Sequence, residues 1–399
     1  MTASHAAPMP LSSVEMLARL VAFDSTSRNS NRDIVGFICA WLDGCGVPYR
    51  LSHDPTGCKA NVHAIIGPQR PGGLAFSGHL DTVSADGQSW TGDPFTLRRQ
   101  NGRLIGRGTC DMKGFVAAAL AAVPDIKARR LDVPIHLLLT YDEEVGYHGA
   151  RRLIADMQES GLQPAACIVG EASGMKPILA QKGRLIARVG VRGHAAHSSE
   201  AHRGANAVHA AGEAVAWLSA LSRHHARTGP AEHGFDPPYT TVQVSNFRCE
   251  GLPNTLPDRA GFDVEWRNIP AVDPRQEYIR LQAHVADVIA PTLRRPGCET
   301  GFDYEVLLDL AAVSMAPEHE LACAAMMAAG TSSTGKVSYC SEGSLYQPAG
   351  IACLVCGPGH LPQVHQPDEW IDESQLAACD TFLRRIVAWP QSVRHLAAA

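Results

Sequence analysis

The sequence predicts an α/β protein whose open sheet is interrupted by a smaller α+β insert. Three observations carry this. Apolar strand-like runs alternate with helical spacing through the first third of the chain; several of those runs end in acids or histidines; and the pattern changes between residue 182 and about residue 313. The 399 residues, 45% hydrophobic and 19% charged, suffice for a large core and for more than one domain. The expected division is a main domain formed by residues 1–181 and 314–399, with the insert over 182–313.

In chain order, apolar spacing predicts helices over 14–21 and 34–42, with Gly44 and Gly46 as stops before an extended run from Val47. A strand is expected over 61–66. The apolar residues 74–76 read as a buried strand leading into Ser77-Gly-His79-Leu-Asp81-Thr-Val83. Residues i and i+2 of a strand share a face, so His79 and Asp81 reach toward one site while Leu80 packs behind. A metal-bound histidine usually gives its other ring N–H to an oxygen, so the pair reads as a ligand and its support. Taken alone, it reads equally well as a solvent-facing pair at a strand end.

Glycines punctuate the stretch 106–114, but the spacing of a phosphate loop is absent and an acid, Asp111, sits near the centre. The alanine-rich run 115–123 is helical, so Asp111 stands just before a helix, where it caps the N-terminus or binds a cation. A strand over 134–140 ends in Tyr141-Asp-Glu143-Glu144, and three adjacent acids there repel one another unless cations or hydrogen bonds compensate. Adjacent strand residues face opposite ways, which gives Glu143 and Glu144 different jobs. A strand over 166–170 ends in Glu171, and one over 351–355 leads to His365. Open α/β sheets bind ligands beyond the carboxyl ends of their strands, where His79, Glu144, Glu171 and His365 all fall.

In the insert, strands are expected over 184–191, 241–247 and 262–266, with helices over 204–221 and 277–293. It also holds Gly193-His-Ala-Ala-His197, whose histidines read locally as exposed strand-end residues.

Several function classes are excluded. The net charge of −5, with no long run of one sign, predicts no nucleic-acid partner and no anionic membrane surface. No stretch approaches the ~20 apolar residues of a membrane span. Residues 1–10 lack the basic start and apolar core of an export signal, so a cytoplasmic location is expected. The twelve cysteines are expected to stay reduced, and the CxxC at Cys353 and Cys356 lies in an apolar run with no second pair to complete a zinc site. Neither G-x-S-x-G nor H-E-x-x-H occurs. A phosphoesterase with similar ligands would add basic groups near these motifs, and few are there.

The motifs S-G-H-L-D-T-V, G-R-G-T-C-D-M-K-G, D-E-E, G-E and H-Q-P-D-E-W occur in the order seen in the zinc-dependent aminoacylase and carboxypeptidase superfamily, which the chain resembles over nearly its whole length. W-T-G-D-P-F-T-L at 90–97, Y-C-S-E at 339–342 and C-G-P-G before H-Q-P-D-E-W are most similar to the acetylornithine deacetylases within it. The resemblance implies a three-layer catalytic domain with a mixed, mostly parallel sheet, and makes the insert a lid and dimerisation domain of a homodimer. It implies two Zn2+ per subunit, replaceable by Co2+, bridged by Asp111, with His79 and Glu171 on one ion and Glu144 and His365 on the other. Asp81 would orient His79, and Glu143 would serve as general base and then acid.

The resemblance further makes His197 a lid histidine that stabilises an oxyanion, and Asn254 and Arg267 holders of a substrate α-carboxylate. Simple surface polarity remains open for the last two. The implied reaction removes the acetyl group from N2-acetyl-L-ornithine in arginine biosynthesis. A broader N-acyl-amino-acid hydrolase or dipeptidase keeps the same metal residues, whereas a noncatalytic metal-binding protein would need no Glu143. The chain departs from the family at Glu265-Trp-Arg267-Asn268, at Ala172-Ser173 and at Ser341-Glu342-Gly343. Glu342 is expected either to meet the distal ammonium of ornithine or to be a surface acid.

Overall fold

A computed structural model of the chain describes residues 11–392. Residues 1–10, in which no export signal is expected, lie outside the described residues. Contacts divide the chain into two units: one runs to Leu179 and resumes over Met315–Gly335 and from Ser341 on, and the other holds Ala180–Ser314 and Lys336–Cys340.

Local sequence sets the first elements. The Ser12 hydroxyl accepts from the Glu15 backbone N–H and the Glu15 carboxylate accepts from the Ser12 N–H, a reciprocal cap that starts α1 (Ser13–Val21). Then come α2 (Arg32–Gly44), β1 (Tyr49–His53), β2 (Ala60–Ile66), β3 (Leu74–His79), β4 (Arg98–Gln100) and β5 (Arg103–Ile105). The helix expected over 115–123 is divided into α3 (Lys113–Ala121) and α4 (Val123–Lys127), because Pro124 has no N–H to continue the first helix and suits the first turn of the second. Strand β6 (Ile135–Thr140), α5 (His148–Ser160), β7 (Ala166–Ala172) and β8 (Ile178–Gln181) follow.

The second unit contains β9 (Gly183–Arg192), α6 (Ala207–Arg227), β10 (Thr241–Cys249), β11 (Arg259–Asn268), α7 (Pro274–His284), α8 (Ala290–Leu293), β12 (Gly301–Leu310) and β13 (Val313–Ser314). The single helix expected over 277–293 is interrupted by a π turn, Val285–Ile289, just before Pro291. The chain ends through α9 (Glu320–Ala329), β14 (Gly335–Val337), α10 (Gly343–Tyr346), β15 (Ala352–Gly357), β16 (Trp370–Asp372) and α11 (Glu373–Ile386).

In the first unit the main sheet runs β1-β2-β6-β3-β7-β15. Its two outer pairings, β1 with β2 and β2 with β6, are antiparallel, while β6, β3, β7 and β15 lie parallel to their neighbours. Ile135, Leu137 and Leu139 of β6 face the large core shared with α1, α2, α3 and α11, whereas His136 and Leu138 alternate to the other face, where α5 packs. The sheet is thus layered by helices on both sides. A Cβ on Gly170 would stand 2.0 Å from the Phe115 ring, so glycine there lets α3 close onto β7 and brings the residues before α3 to the strand ends. A small sheet, β16-β5-β4, places residue 369 beside the loop that precedes α3.

The second unit is a four-stranded antiparallel sheet, β10-β11-β9-β12. Leu185, Ala187, Val189 and Val191 of β9 pack with α6 and α7, while Arg188 and Arg192 on alternate positions pair with Asp263 and Asp303. Strand β12 is one element of this unit that sequence reasoning did not anticipate, although Phe302 and Tyr304 alternating with Asp303 and Glu305 carry its signal. Among the described residues no helix is long and apolar enough to cross a membrane, and the twelve cysteines are free.

Candidate metal centre

Parallel strands β6, β3 and β7 deliver their carboxyl ends to one edge of the sheet, and the polar residues gather there. His79 ends β3, Glu143 and Glu144 follow β6, and Glu171 lies in β7. Asp111 arrives from the loop before α3, and its peptide to Met112 is cis. His365 follows β15 in a left-handed conformation, φ 62°, its carbonyl accepting from Gln88 Nε2 at 2.9 Å.

Two clusters result, and they share Asp111. His79 Nε2 lies 3.0 Å from Asp111 Oδ1 and 3.7 Å from Glu171 Oε1. His365 Nε2 lies 3.0 Å from Asp111 Oδ2 and 3.1 Å from Glu144 Oε1. In each cluster the three candidate ligand atoms fall within 4.8 Å of one another. His79 Nδ1 donates its proton to the Asp81 carbonyl at 2.9 Å, so a neutral ring turns its Nε2 lone pair toward two carboxylates. That arrangement is satisfied by a second ring proton or by a cation.

The electrostatics agree. Burial opposes charge on His79, yet its hydrogen bond to Asp111 and the charges of Asp111, Glu143 and Asp81 carry its pKa well above the imidazole range. His365 is raised to about 10 by its hydrogen bonds to Asp111 and Glu144. Burial also pushes Glu143, Glu144 and Glu171 upward, with the neighbouring acids adding to it. Asp111 moves the other way, because the histidine hydrogen bonds outweigh its burial. Four carboxylates therefore face two imidazoles, buried at His79 and open to solvent at His365, and a set of mixed imidazole and carboxylate donors with excess negative charge fits divalent cations.

The expected support from Asp81 takes a particular form. Its backbone carbonyl, not its carboxylate, holds His79 at hydrogen-bond distance; the carboxylate is 3.6 Å away. The carboxylate instead accepts from Ser27 Oγ at 2.7 Å and from the backbone N–H groups of Glu143 and Glu144 at 3.2 and 3.3 Å. Sequence reasoning missed Ser27, and it missed Glu369 as well. The buried Glu369 carboxylate accepts from the backbone of Gly108, Cys110 and Asp111 and pairs with Arg107 at 2.8 Å, fixing the loop that presents Asp111. Behind it Lys113 is fully buried, donates to the Phe23 carbonyl at 2.9 Å, and is lowered by burial to about 7.

Glu342 is not the surface acid that was one of its two expected placements. It is 1% exposed, and its carboxylate accepts from Ser77 Oγ at 2.7 Å, from Tyr346 at 3.2 Å and from Thr140. Its burial rules out the surface acid; with these three hydroxyls it links β3 to β6 just behind the strand ends.

The remaining expected residues lie in the second unit. His197 is exposed, and its Nδ1 accepts from the Ser199 N–H at 3.2 Å, which leaves the ring proton of the neutral form on Nε2. Asn254 adjoins it, with the Ser198 N–H donating to the Asn254 carbonyl at 2.8 Å. Arg267 on β11 pairs with Glu265 at 3.0 Å, and Arg184 pairs with the same carboxylate at 2.6 Å.

Known proteins are similar to this chain over long stretches. Residues 75–389 match peptidase family M20/M25/M40. An acetylornithine deacetylase of Myxococcus xanthus is 34% identical over 93% of this chain and 96% of its own, and one of Pectobacterium atrosepticum is 31% identical over 92% and 93%. Among solved structures, an M20 family metallo-carboxypeptidase of Sulfolobus solfataricus superposes with a TM-score of 0.73 at 17% identity, covering 96% of this chain and 100% of that one. A Bacillus subtilis protein described as a dinuclear metal-binding peptidase of the M20 family gives 0.67 at 15% identity, covering 94% and 97%. With a family match along most of its length and relatives of this identity across nearly all of it, the chain belongs to peptidase family M20/M25/M40 and is a metal-dependent amide hydrolase.

Proposed function

We propose that the chain removes the acetyl group from N2-acetyl-L-ornithine, releasing L-ornithine and acetate, as a cytoplasmic homodimer serving arginine biosynthesis. The observation that carries the chemistry is the pair of clusters joined through Asp111 with Glu143 beside them. The choice of substrate rests on the relatives, which bear the name acetylornithine deacetylase. His79 and Glu171 would hold one Zn2+, Glu144 and His365 a second, and Asp111 both; the dinuclear description of the Bacillus subtilis neighbour supports the count. Co2+ suits the same donors. Bound there, such ions polarise a carbonyl and acidify water.

The chain's own groups supply the rest. Glu143, 8% exposed and disfavoured as an anion by burial, is suited to take a proton from the attacking water and return it to the leaving amine. His197, whose Nδ1 is occupied by the Ser199 N–H, presents an Nε2–H donor suited to an oxyanion. The Arg267 fork, steadied by Glu265, suits an α-carboxylate, with Asn254 as a further polar contact. Glu342 braces strand ends in this reading.

One observation favours a second reading. Glu342, the acid assigned to the distal ammonium of ornithine, is buried and already accepts from three hydroxyls, which suits a broader N-acyl-amino-acid hydrolase or dipeptidase. The test is hydrolysis of N-acetyl-L-ornithine, N-acetyl-L-methionine and a dipeptide by chelator-stripped protein, before and after Zn2+ or Co2+ is returned. We expect metal-restored turnover fastest with acetylornithine. A faster rate on either other substrate moves the chain to the second reading, and no turnover of any of them overturns both.

A further inference from the structure

Glu143 is preceded by a residue in an unusual conformation. Asp142 has φ 56°, in the left-handed region that a residue other than glycine keeps only when its surroundings over-determine it. A lysine holds its carboxylate. The Lys59 ammonium, just before β2, meets both the Asp142 carboxylate and the Ser27 carbonyl, and the two charged side chains are 16% and 13% exposed. Lys59 is itself held, its backbone N–H donating to Asp54 Oδ1 at 2.7 Å.

Two routes therefore lead from this ammonium to the same turn. Along the chain, Asp142 adjoins Glu143, and its carbonyl accepts from the Tyr147 N–H at 2.7 Å. Through space, Ser27 donates its hydroxyl proton to Asp81 at 2.7 Å, and the Asp81 carboxylate receives the backbone N–H groups of Glu143 and Glu144. Both routes fix the backbone that carries the proposed base and one candidate ligand.

We propose that Lys59 is a positioning residue for amide hydrolysis: it holds Asp142 in its left-handed conformation and, through Ser27 and Asp81, sets the direction in which Glu143 and Glu144 leave the strand end. The inference rests on the reading of Glu143 as base and Glu144 as ligand. Its effect on chemistry is geometric, because a misplacement of about 1 Å at a reacting group costs on the order of 100-fold in rate.

The test compares Lys59→Met, Lys59→Arg and the double variant Lys59→Met/Asp142→Asn with wild type, as Zn2+-loaded full-length protein, with circular dichroism and melting midpoints alongside. Lys59→Met leaves the Asp142 carboxylate buried and unpaired. The double variant removes both charges while asparagine keeps the left-handed conformation accessible, so it guards against simple unfolding. We expect kcat on the best acyl amino acid to fall by about 10- to 100-fold in Lys59→Met and in the double variant, with KM unchanged and partial recovery in Lys59→Arg. An unchanged kcat in the double variant, a loss confined to KM, or a loss that merely tracks the unfolded fraction overturns the proposal.

A second readout needs no turnover. Zn2+ titration against a chromophoric chelator should show the binding step abolished by Glu144→Ala weakened by about 10- to 100-fold in Lys59→Met. If wild type hydrolyses none of the substrates, the functional reading falls, and this affinity alone decides: weakening supports the positioning by Lys59, and an unchanged affinity overturns it.

Discussion

At the scale of the residue, Glu143 and Glu144 are neighbours that the turn after β6 places differently. Glu144 stands 3.1 Å from His365 inside a candidate ligand cluster, while Glu143 forms no part of either cluster. Glu143→Ala should therefore keep the Zn2+ stoichiometry of the wild type and lower kcat by ~100- to 10,000-fold, the usual contribution of a positioned proton carrier. Metal content by atomic absorption, measured beside the rate, checks this; near-normal turnover in a metal-replete sample removes Glu143 from the mechanism. The residues gathered at the strand ends were legible because each interrupts a local pattern: an acid or histidine where an apolar run stops. Ser27, Lys59 and Glu369 were not legible, since their partners are carbonyls, carboxylates and backbone N–H groups far away in the chain. Glu342 shows the opposite failure. Its acid stands out in the sequence, yet only the register that sets Ser77 on β3 and Thr140 on β6 before it shows which hydroxyls it accepts from.

At the scale of the element, β2 and β6 pair antiparallel and carry a buried histidine couple, His63 and His136, with His63 Nε2 2.9 Å from His136 Nδ1. His136 Nε2 donates to the Gly72 carbonyl at 2.9 Å, so its Nδ1 accepts from His63 and both rings are neutral. Burial lowers His136 to about 3 and His63 to about 4, with the Arg50 charge adding to the second. Unfolded histidine titrates near 6.5, so the unfolded chain binds more protons below that pH and stability must fall as pH drops from about 6.5 toward the folded values. At pH 5 the cost is about 2 kcal/mol per ring. Urea midpoints at pH 7 and pH 5 should fall for wild type and change less for the double variant His63→Gln/His136→Gln; parallel declines would show that the couple does not set the slope. The helices and strands around this pair follow apolar spacing and were readable from it. The couple itself was not, because its meaning depends on cross-strand register.

At the scale of the molecule, an α/β fold with an α+β insert was visible as a change of pattern along the chain, whereas strand order depends on long-range pairing that no local window records. The two candidate clusters draw all their members, His79, Asp111, Glu144, Glu171 and His365, from the first unit. Ions that bind the folded chain and not the unfolded one stabilise it by mass action, about 2.7 kcal/mol per site at a hundred times the dissociation constant. Without them the acids and imidazoles at the ends of β3, β6 and β7 must be balanced by protons. Removing metal should therefore loosen those strand ends while leaving the four-stranded sheet of the second unit as it was. Hydrogen exchange on chelated and Zn2+-loaded protein measures this directly. Amides near 79, 111, 140–144 and 171 should exchange faster after chelation and those of β9 and β11 at unchanged rates. Equal loosening of both units would mean that the metal stabilises the whole molecule cooperatively, and no loosening anywhere would count against a metal at these residues.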